Sequence, residues 1–130
     1  MADHPNAARV RSTYEAFARG DMATLADVFA EDMVWHFPGN HPLAGDHKGR
    51  DAVFSILAKS GEMSGGTFNI ELHDVLANDD HAVAIQLETG SRGGKQLNQL
   101  DVEVFHMKDG KITEWWSFAG DQRGEDAFWS

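Results

Sequence analysis

The apolar residues in the first part of the chain recur with the spacing of a helix. Between residues 4 and 19 they fall on one face, about 3.6 positions apart, which predicts an amphipathic helix. The stripe consists of Ala7, Val10, Tyr14 and Phe17. Asp3 is placed to cap the N-terminus of this helix, and Gly20 is placed to end it.

A second short helix and a first strand are predicted to follow at once. Asp21 can cap the helix at its N-terminus. The inner face of this helix is predicted to carry Met22, Leu25 and Phe29. Residues 31–37, EDMVWHF, then form a strand, which Pro38 and Gly39 stop.

The segment after this strand is a loop rich in Pro, Gly and His, and a third helix follows it. The helix is predicted over residues 50–61, with Gly61 as its C-terminal stop. Its apolar face consists of Val53, Ile56 and Leu57. The first half of the chain is therefore mainly helical.

In the second half the apolar period changes from that of a helix to that of a strand. The alternating rows are Phe68, Ile70 and Leu72, then Val83, Ile85 and Leu87, then Leu100, Val102 and Val104. Turn signals separate them at residues 78–80, 93–94 and 109–110, and a last strand follows over residues 112–118. The aromatic pair Phe128 and Trp129 indicates a C-terminal segment that packs against the domain. Helices followed by an antiparallel meander predict an α+β fold, with helices on one face of a curved sheet and a pocket between them.

Composition restricts the kinds of partner. The 130 residues fit a single domain spanning 1–130, and the net charge of -10 argues against nucleic acid and against an anionic membrane surface. There is no cysteine, and the N-terminal segment does not resemble a secretion signal, so we expect a cytoplasmic protein. The sequence has no nucleotide-binding motif, and we expect no cofactor.

Four segments together resemble a known family. They are RGDMATLADVFAEDMVWHFPG, PLAGDHKGRDAV, VFHMKDGKITEWW, and GDQ with a terminal AFW. This order is similar to the SnoaL-like branch of the nuclear transport factor 2-like superfamily, which includes polyketide cyclases, ketosteroid isomerases and limonene epoxide hydrolases. The resemblance implies a cystatin-like conical α+β barrel, with N-terminal helices packed on one strongly curved, mostly antiparallel sheet. It also implies an apolar cavity inside the cone and a homodimer formed through the other face of the sheet.

Two acidic residues on the predicted fourth strand of the sheet are the first candidates for chemistry. Asp101 and Glu103 are two positions apart and therefore share a face, which Phe105 continues. If this face lines a cavity that excludes water, burial and mutual repulsion raise at least one pKa, as a general base for a weakly acidic carbon requires. The alternative is that the face is solvated, because Leu100 and Val102 begin a more regular apolar row on the opposite side.

Other polar residues could hold a substrate oxygen. His36 could orient a carbonyl group or relay a proton, although a single His near apolar neighbours is also common as a structural residue. Gln86 could donate a hydrogen bond to a developing enolate. Tyr14 is the chain's one tyrosine, and its place in the first helix suits the donor role that tyrosine has in ketosteroid isomerases.

The predicted ligand-binding set also contains aromatic and small polar residues. Its remaining members are Trp35, Phe37, Phe105, Trp116, Ser117 and Asp121. Ser117 stands near the position where cyclase and epoxide hydrolase relatives carry an aspartate, which is a departure from the family pattern. Asp121 could reach the cavity mouth if the C-terminal segment folds back, or it could simply cap a C-terminal turn.

Two related possibilities are disfavoured by missing residues. The histidines at 36, 41 and 47 lack the spacing of a metal site, so we expect no metal. No arginine accompanies Gln86 and Glu88 on their strand, so the triad of the epoxide hydrolases is not reproduced.

The sequence thus predicts a homodimeric protein that binds a small hydrophobic, carbonyl-bearing molecule. On this hypothesis Asp101 or Glu103 is the base of a cofactor-free proton transfer, such as an isomerisation or cyclisation. The alternatives are a non-catalytic binding module with the same cavity and a dimerisation domain with a filled interior.

Overall fold

The computed structural model describes residues 3–130 and contains helices on one side of a single curved sheet. The helices are α1 (Pro5–Arg19), α2 (Met22–Val28), α3 (Arg50–Met63) and α4 (Gln122–Trp129). The strands are β1 (Phe29–Phe37), β2 (Gly45–Lys48), β3 (Asn69–Ala77), β4 (His81–Arg92), β5 (Lys95–Lys108) and β6 (Lys111–Ala119). The predicted α+β architecture is confirmed.

The sheet has the strand order β2-β1-β6-β5-β4-β3. The meander from β3 to β6 is antiparallel, as predicted, and β1 joins it by pairing in parallel with β6. The turns at Gly93-Gly94 and Asp109-Gly110 have positive φ at both residues, which is the geometry that suits the twist of a two-residue hairpin. Both predicted turns are therefore confirmed.

Several predicted helix boundaries need correction. Nδ1 of His4, not Asp3, accepts the capping hydrogen bond of α1, from the Asn6 N–H at 3.1 Å. The third helix continues past Gly61 and ends at Met63, where glycines with positive φ follow. Phe29 begins β1 instead of lying on the second helix, and the His-rich loop contains the short strand β2. Gly20 and Asp21 end α1 and cap α2 as predicted.

The polar rows of β4 and β5 face the helices, and the apolar rows face outward. Asp101 and Glu103 are each 2% exposed, whereas Leu100 is 52% exposed and Val102 is 37% exposed. Register aligns Gln86 with Asp101 on the enclosed face of the two strands. The sheet therefore presents acidic side chains to the interior of the cone.

The C-terminal helix α4 packs across one end of the cone. Phe128 and Trp129 are each 1% exposed, which confirms the predicted packing of the C-terminal segment. Gly90 on β4 permits this packing, because a Cβ at that position would lie 3.1 Å from Cζ of Phe128. Arg92 fixes the end of the helix by donating from Nη1 to the carbonyl oxygen of Phe128 at 3.0 Å. Among residues 3–130, no helix is both long enough and apolar enough to cross a membrane.

Candidate functional site

The interior of the cone contains a cavity with two adjoining lobes of different polarity. The apolar lobe has a cavity volume of ≈ 50 Å³ and lies between the first two helices and the sheet. Its walls include Val10, Phe17, Leu25, Phe29, Phe105 and Ile112. The acidic lobe has a cavity volume of ≈ 30 Å³ and lies between the sheet, α3 and α4. Leu57, Ile70, Gln86 and Trp115 line both lobes and mark where they meet.

Four carboxyl groups line the acidic lobe, and all are buried. They are Glu88 (6% exposed), Asp101 (2%), Glu103 (2%) and Glu125 (3%). The described residues around this lobe include no Lys, Arg or His to neutralise them. Burial without a cationic partner favours the protonated form of a carboxyl group. Buried carboxyl groups in this lobe therefore keep a proton at pH values at which exposed carboxyl groups are ionised.

Glu103 is held by donors on one oxygen and is free on the other. Oε1 accepts hydrogen bonds from Oγ of Ser117 at 2.6 Å and from Nε1 of Trp115 at 2.9 Å. Nε1 of Trp35 donates to the same Ser117 oxygen at 2.9 Å, which fixes the serine rotamer. Oε2 of Glu103 is buried and has no partner. Burial raises the pKa of Glu103 well above its ordinary value, although the Ser117 and Trp115 donors oppose the change.

A chain of hydrogen bonds joins α1 to the carboxyl cluster. Oη of Tyr14 donates to Oε1 of Gln86 at 2.5 Å, and Nε2 of Gln86 donates to Oε1 of Glu88 at 2.9 Å. Burial, together with the charges of Glu103, Glu88 and Asp101, raises the pKa of Tyr14 well above 10.0. Tyr14 is therefore a neutral donor, and it orients the Gln86 amide.

The other three acids converge on one point. One carboxylate oxygen from each of Glu88, Asp101 and Glu125 lies within 4.8 Å of the other two. Burial is the main cause that raises the pKa of each, and it brings the pKa of Glu125 to about 8. Oδ1 of Asp101 also accepts from the Gly120 N–H at 3.2 Å, which opposes the increase for that group. Within residues 3–130 this trio is the group that could hold a metal ion, and all its ligand atoms would be oxygens.

Most of the predicted site residues meet in this cavity. Tyr14, Gln86 and Phe105 line the apolar lobe, and Gln86 extends into the acidic lobe. The residues that complete the predicted set in the acidic lobe are Trp35, Phe37, Asp101, Glu103 and Ser117. The sequence did not decide which face of β5 lines the cavity, and the structure shows that it is the face carrying Asp101 and Glu103.

The structure contradicts the placement of His36 in the cavity. Its neighbours Trp35 and Phe37 point inward, so alternation along β1 turns His36 to the outer face. There Nε2 lies 2.6 Å from Oε2 of Glu114 and Nδ1 lies 2.8 Å from Oδ1 of Asp46. The hydrogen bond to Glu114 is the main cause that raises the pKa of His36. His36 therefore links β1 to its two neighbouring strands and is not placed to touch a ligand in the cone.

Trp116 and Asp121 also lie outside the cavity, so their predicted ligand contacts are corrected. Trp116 faces outward because Trp115 faces inward, and its ring stacks on His36 with a centroid distance of 5.2 Å. Asp121 is exposed and caps α4, since its Oδ1 accepts from the Gly124 N–H at 3.1 Å. The simpler expectation of a capped C-terminal turn describes Asp121 correctly.

Glu88, Glu125 and Trp129 line the acidic lobe but do not belong to the site set predicted from the sequence. Glu88 shares the alternating face of Gln86, and that spacing was the available signal. Glu125 and Trp129 enter the acidic lobe only because α4 folds across the cone. Nε1 of Trp129 is buried and has no hydrogen-bond partner, so the lobe contains a free donor beside its free acceptors.

The conical α+β architecture with an internal cavity defines the cystatin-like, nuclear transport factor 2-like class of folds. The sequence profile of the SnoaL-like domain matches residues 10–115, and the chain belongs to that family. It is 37% identical to the Mycobacterium tuberculosis protein Rv0034, over the whole length of both chains.

Solved structures agree with this assignment. Bal32a, from a soil-derived mobile gene cassette, is 41% identical with a TM-score of 0.93, and the match covers 97% of each chain. A Xanthomonas campestris protein with a cystatin-like fold is 37% identical with a TM-score of 0.90, covering 96% of this chain and 98% of the other. Putative polyketide cyclases, at 19% identity or less, share the fold.

Proposed function

We propose that this protein binds a small hydrophobic, carbonyl-bearing molecule in the cone and catalyses a cofactor-free proton transfer of the isomerase or cyclase type. The observation that carries the proposal is Glu103: a buried carboxyl group with one oxygen fixed by donors and the other free in a cavity. An apolar lobe adjoins this carboxyl and suits a hydrophobic substrate body. Membership of the SnoaL-like family and the shared fold of the polyketide cyclases support the same class of reaction.

The chemical step follows from the positions of the free atoms. Oε2 of Glu103 takes a proton from the carbon next to the carbonyl group, and the C–H electron pair forms the C=C bond of an enolate. The negative charge moves to the carbonyl oxygen, where the free Nε1–H of Trp129 can donate a hydrogen bond. Returning the proton to a different carbon completes an isomerisation. A raised pKa suits this role, because the acid formed and the carbon acid are then closer in strength.

Asp101 is the second acid in the proposal. Its carboxyl group lies in the same lobe and its pKa is also raised by burial. It forms part of the trio with Glu88 and Glu125, so it can accept a proton from one neighbour when Glu103 changes state. In this proposal Glu103 is the base, and Asp101 is an acid that exchanges protons with Glu88 and Glu125.

Hydrogen–deuterium exchange tests this function without knowledge of the product. A panel of cyclic and aromatic ketones in D₂O is followed by proton NMR for loss of the signal next to the carbonyl group. We expect saturable, protein-dependent exchange for at least one ketone, and a loss of more than about a hundredfold in Glu103→Gln. Glu71→Gln, which changes an exposed acid on β3, should exchange at the original rate. Exchange that survives Glu103→Gln and Asp101→Asn together would refute the proposed base.

The second candidate is a non-catalytic binding module that uses the same cavity. The apolar lobe favours it as much as it favours an enzyme. Ketones that raise the melting temperature saturably, but whose protons never exchange, would establish this alternative.

We further propose that the protein is a homodimer formed through the outer face of the sheet. Large apolar residues are exposed there, with Leu100 at 52%, Val102 at 37% and Phe118 at 53%. Phe118→Asp should give a monomer in sedimentation equilibrium, while Met22→Asp, at a position 48% exposed on α2, should not. A wild-type protein that sediments as a monomer would exclude the dimer. The cytoplasmic location expected from the sequence remains a prediction.

A further inference from the structure

The acidic lobe contains more carboxyl groups than the deprotonation of a ketone requires. One base is sufficient for that step, yet four carboxyl groups converge here and no described lining residue is cationic. Burying a carboxylate without a counter-charge is costly, so the lobe is either protonated or complemented by a positive ligand. Glu88 and Glu125 have no role of their own in that step, so their burial beside Asp101 needs a separate explanation.

The unsatisfied atoms in this lobe indicate what kind of ligand would complete it. Oε2 of Glu103 is a buried acceptor without a partner, whereas the buried carboxyl group of Glu88 is hydrogen-bonded to Asp101 only through a proton that the two acids share. Buried polar atoms are normally hydrogen-bonded, so if the Glu88–Asp101 pair loses its shared proton, it requires a ligand with N–H or O–H donors. An ammonium group supplies several donors and a positive charge together.

The remaining walls of the lobe are aromatic. Trp35 and Trp115 stack with their ring centroids 3.9 Å apart, and Phe68 meets Trp129 at 5.2 Å with an interplanar angle of 66°. All four rings line the acidic lobe. Aromatic faces attract organic cations, whereas a divalent metal ion prefers a shell of oxygen atoms and water. Aromatic walls around carboxyl groups therefore favour an organic cation over a metal.

We infer that the natural ligand of this cavity carries a protonated amine, which binds in the acidic lobe among the carboxyl groups of Glu88, Asp101 and Glu125 and leaves Glu103 free to act as the base. Its apolar body then occupies the adjoining apolar lobe. This inference deepens the proposed function, on which it rests for the premise that the cone admits a ligand. The substrate class becomes a hydrophobic amine that also bears the reactive carbonyl group.

Binding of such a ligand should expel protons from the protein. Burial raises the pKa values of Glu88 and Glu125, so the free protein holds protons on these two acids. An ammonium group favours the ionised carboxylates and releases those protons to the buffer. The titratable groups that face the lobe are Glu88, Asp101, Glu103 and Glu125, and Tyr14 reaches it through Gln86.

Isothermal titration calorimetry with a matched pair of probes tests the inference. Phenethylamine and phenethyl alcohol share the same ring and chain, and they differ in the ammonium and hydroxyl groups. We expect the amine to bind at least about tenfold more tightly at pH 7. Its binding heat should also depend on the ionisation enthalpy of the buffer, because protons are released. Equal or tighter binding of the alcohol would overturn the inference.

Variants locate the binding. Glu88→Gln and Glu125→Gln should each remove most of the preference for the amine, while Glu71→Gln on the exposed side of β3 should retain it. Magnesium or calcium ions alone serve as the second probe. Saturable binding of either ion that the same substitutions abolish would show a metal site and overturn the inference.

The two proposals fail in different ways. Ketones that exchange with no amine preference would leave the proton-transfer function standing and refute the amine. An amine that binds with proton release, in a protein that exchanges no ketone, would confirm the ligand class and refute the catalytic step.

Discussion

The hydroxyl group of Ser117 donates a 2.6 Å hydrogen bond to Oε1 of Glu103, and both residues are buried. The contact crosses from β6 to β5, where the two residues are paired in register. It fixes which oxygen of the carboxyl group is occupied and leaves Oε2 open. Ser117 therefore positions the candidate base.

Ser117→Ala should raise the pKa of Glu103 further, because the Ser117 hydroxyl group favours the ionised form of Glu103 more than the Trp115 donor does. The substitution also leaves Nε1 of Trp35 without an acceptor, at a cost of about 1–3 kcal/mol in unfolding free energy. Carbon-detected NMR titration of the side-chain carboxyl measures the first effect. Ser55→Ala, at an exposed position on α3, is the control. An unchanged Glu103 titration would mean that Ser117 does not orient this group.

The unfolding free energy should fall as pH rises from about 4.5 toward about 8. Glu125 has a pKa of about 8 in the folded protein and an ordinary value of 4.5, so the folded state binds more protons in this range. Below 4.5 both states are protonated and the penalty is absent. Each additional proton held by the folded state contributes a slope of about 1.4 kcal/mol per pH unit.

Glu125→Gln should flatten that slope and stabilise the protein at pH 8 relative to wild type. Urea unfolding across the range measures both effects, with Glu71→Gln as the matched exposed substitution. Stability that rises with pH from 5 to 8, after correction for His36, would contradict the assignment of buried, protonated acids.

Gly120→Ala should destabilise the fold and disturb Asp101. A Cβ at this position would overlap the backbone oxygen of Leu100, so β5 and the end of β6 must separate. The Gly120 N–H that Asp101 accepts would move with them. We expect a loss of about 1–3 kcal/mol by thermal or urea unfolding.

The control for this substitution is a second Gly→Ala change that should increase the unfolding free energy. Gly61 lies within α3 with open space where a Cβ would be, so Gly61→Ala should stabilise the protein by about 0.5–1 kcal/mol. A neutral Gly120→Ala would show that the strands tolerate the added methyl group.

His36→Gln should leave ligand binding unchanged and lower stability at acidic pH. The Glu114 and Asp46 partners raise the pKa of His36 above 6.5 in the folded protein. The stabilisation is thus present in full below that value and is lost as pH rises through the folded pKa. Unfolding at pH 5.5 and at pH 8.5 should show a difference from wild type mainly at the lower pH. A changed affinity for phenethylamine would place His36 back in the site.

The residues that the sequence located correctly are those whose positions follow from local alternation. Asp101 and Glu103 share a face because they are two apart on a strand, and the face was found to be enclosed. Which face is enclosed was beyond local reasoning, because Leu100 and Val102 form an apolar row that lies on the outside. A buried acidic face beneath an exposed apolar one reverses the usual pattern.

Two errors in the predicted site have different causes, which are strand alternation for His36 and tertiary packing for Glu125. His36 was assigned to the cavity together with Trp35 and Phe37, although strand alternation separates it from both. Glu125 was not selected because its burial depends on α4 crossing the cone, and a short acidic helix is usually solvated. No local signal distinguishes such a helix from one that closes a cavity.

The parallel pairing of β1 with β6 has a consequence for the order of folding. Nε1 of Trp35 bonds to Oγ of Ser117 across 82 positions of the chain, so the pocket combines early and late segments. Contacts between distant segments close slowly, because the long intervening loop must be ordered first. During synthesis, the tryptophan strand thus emerges well before the partner that covers it. The nascent chain therefore cannot form this hydrogen bond until β6 leaves the ribosome.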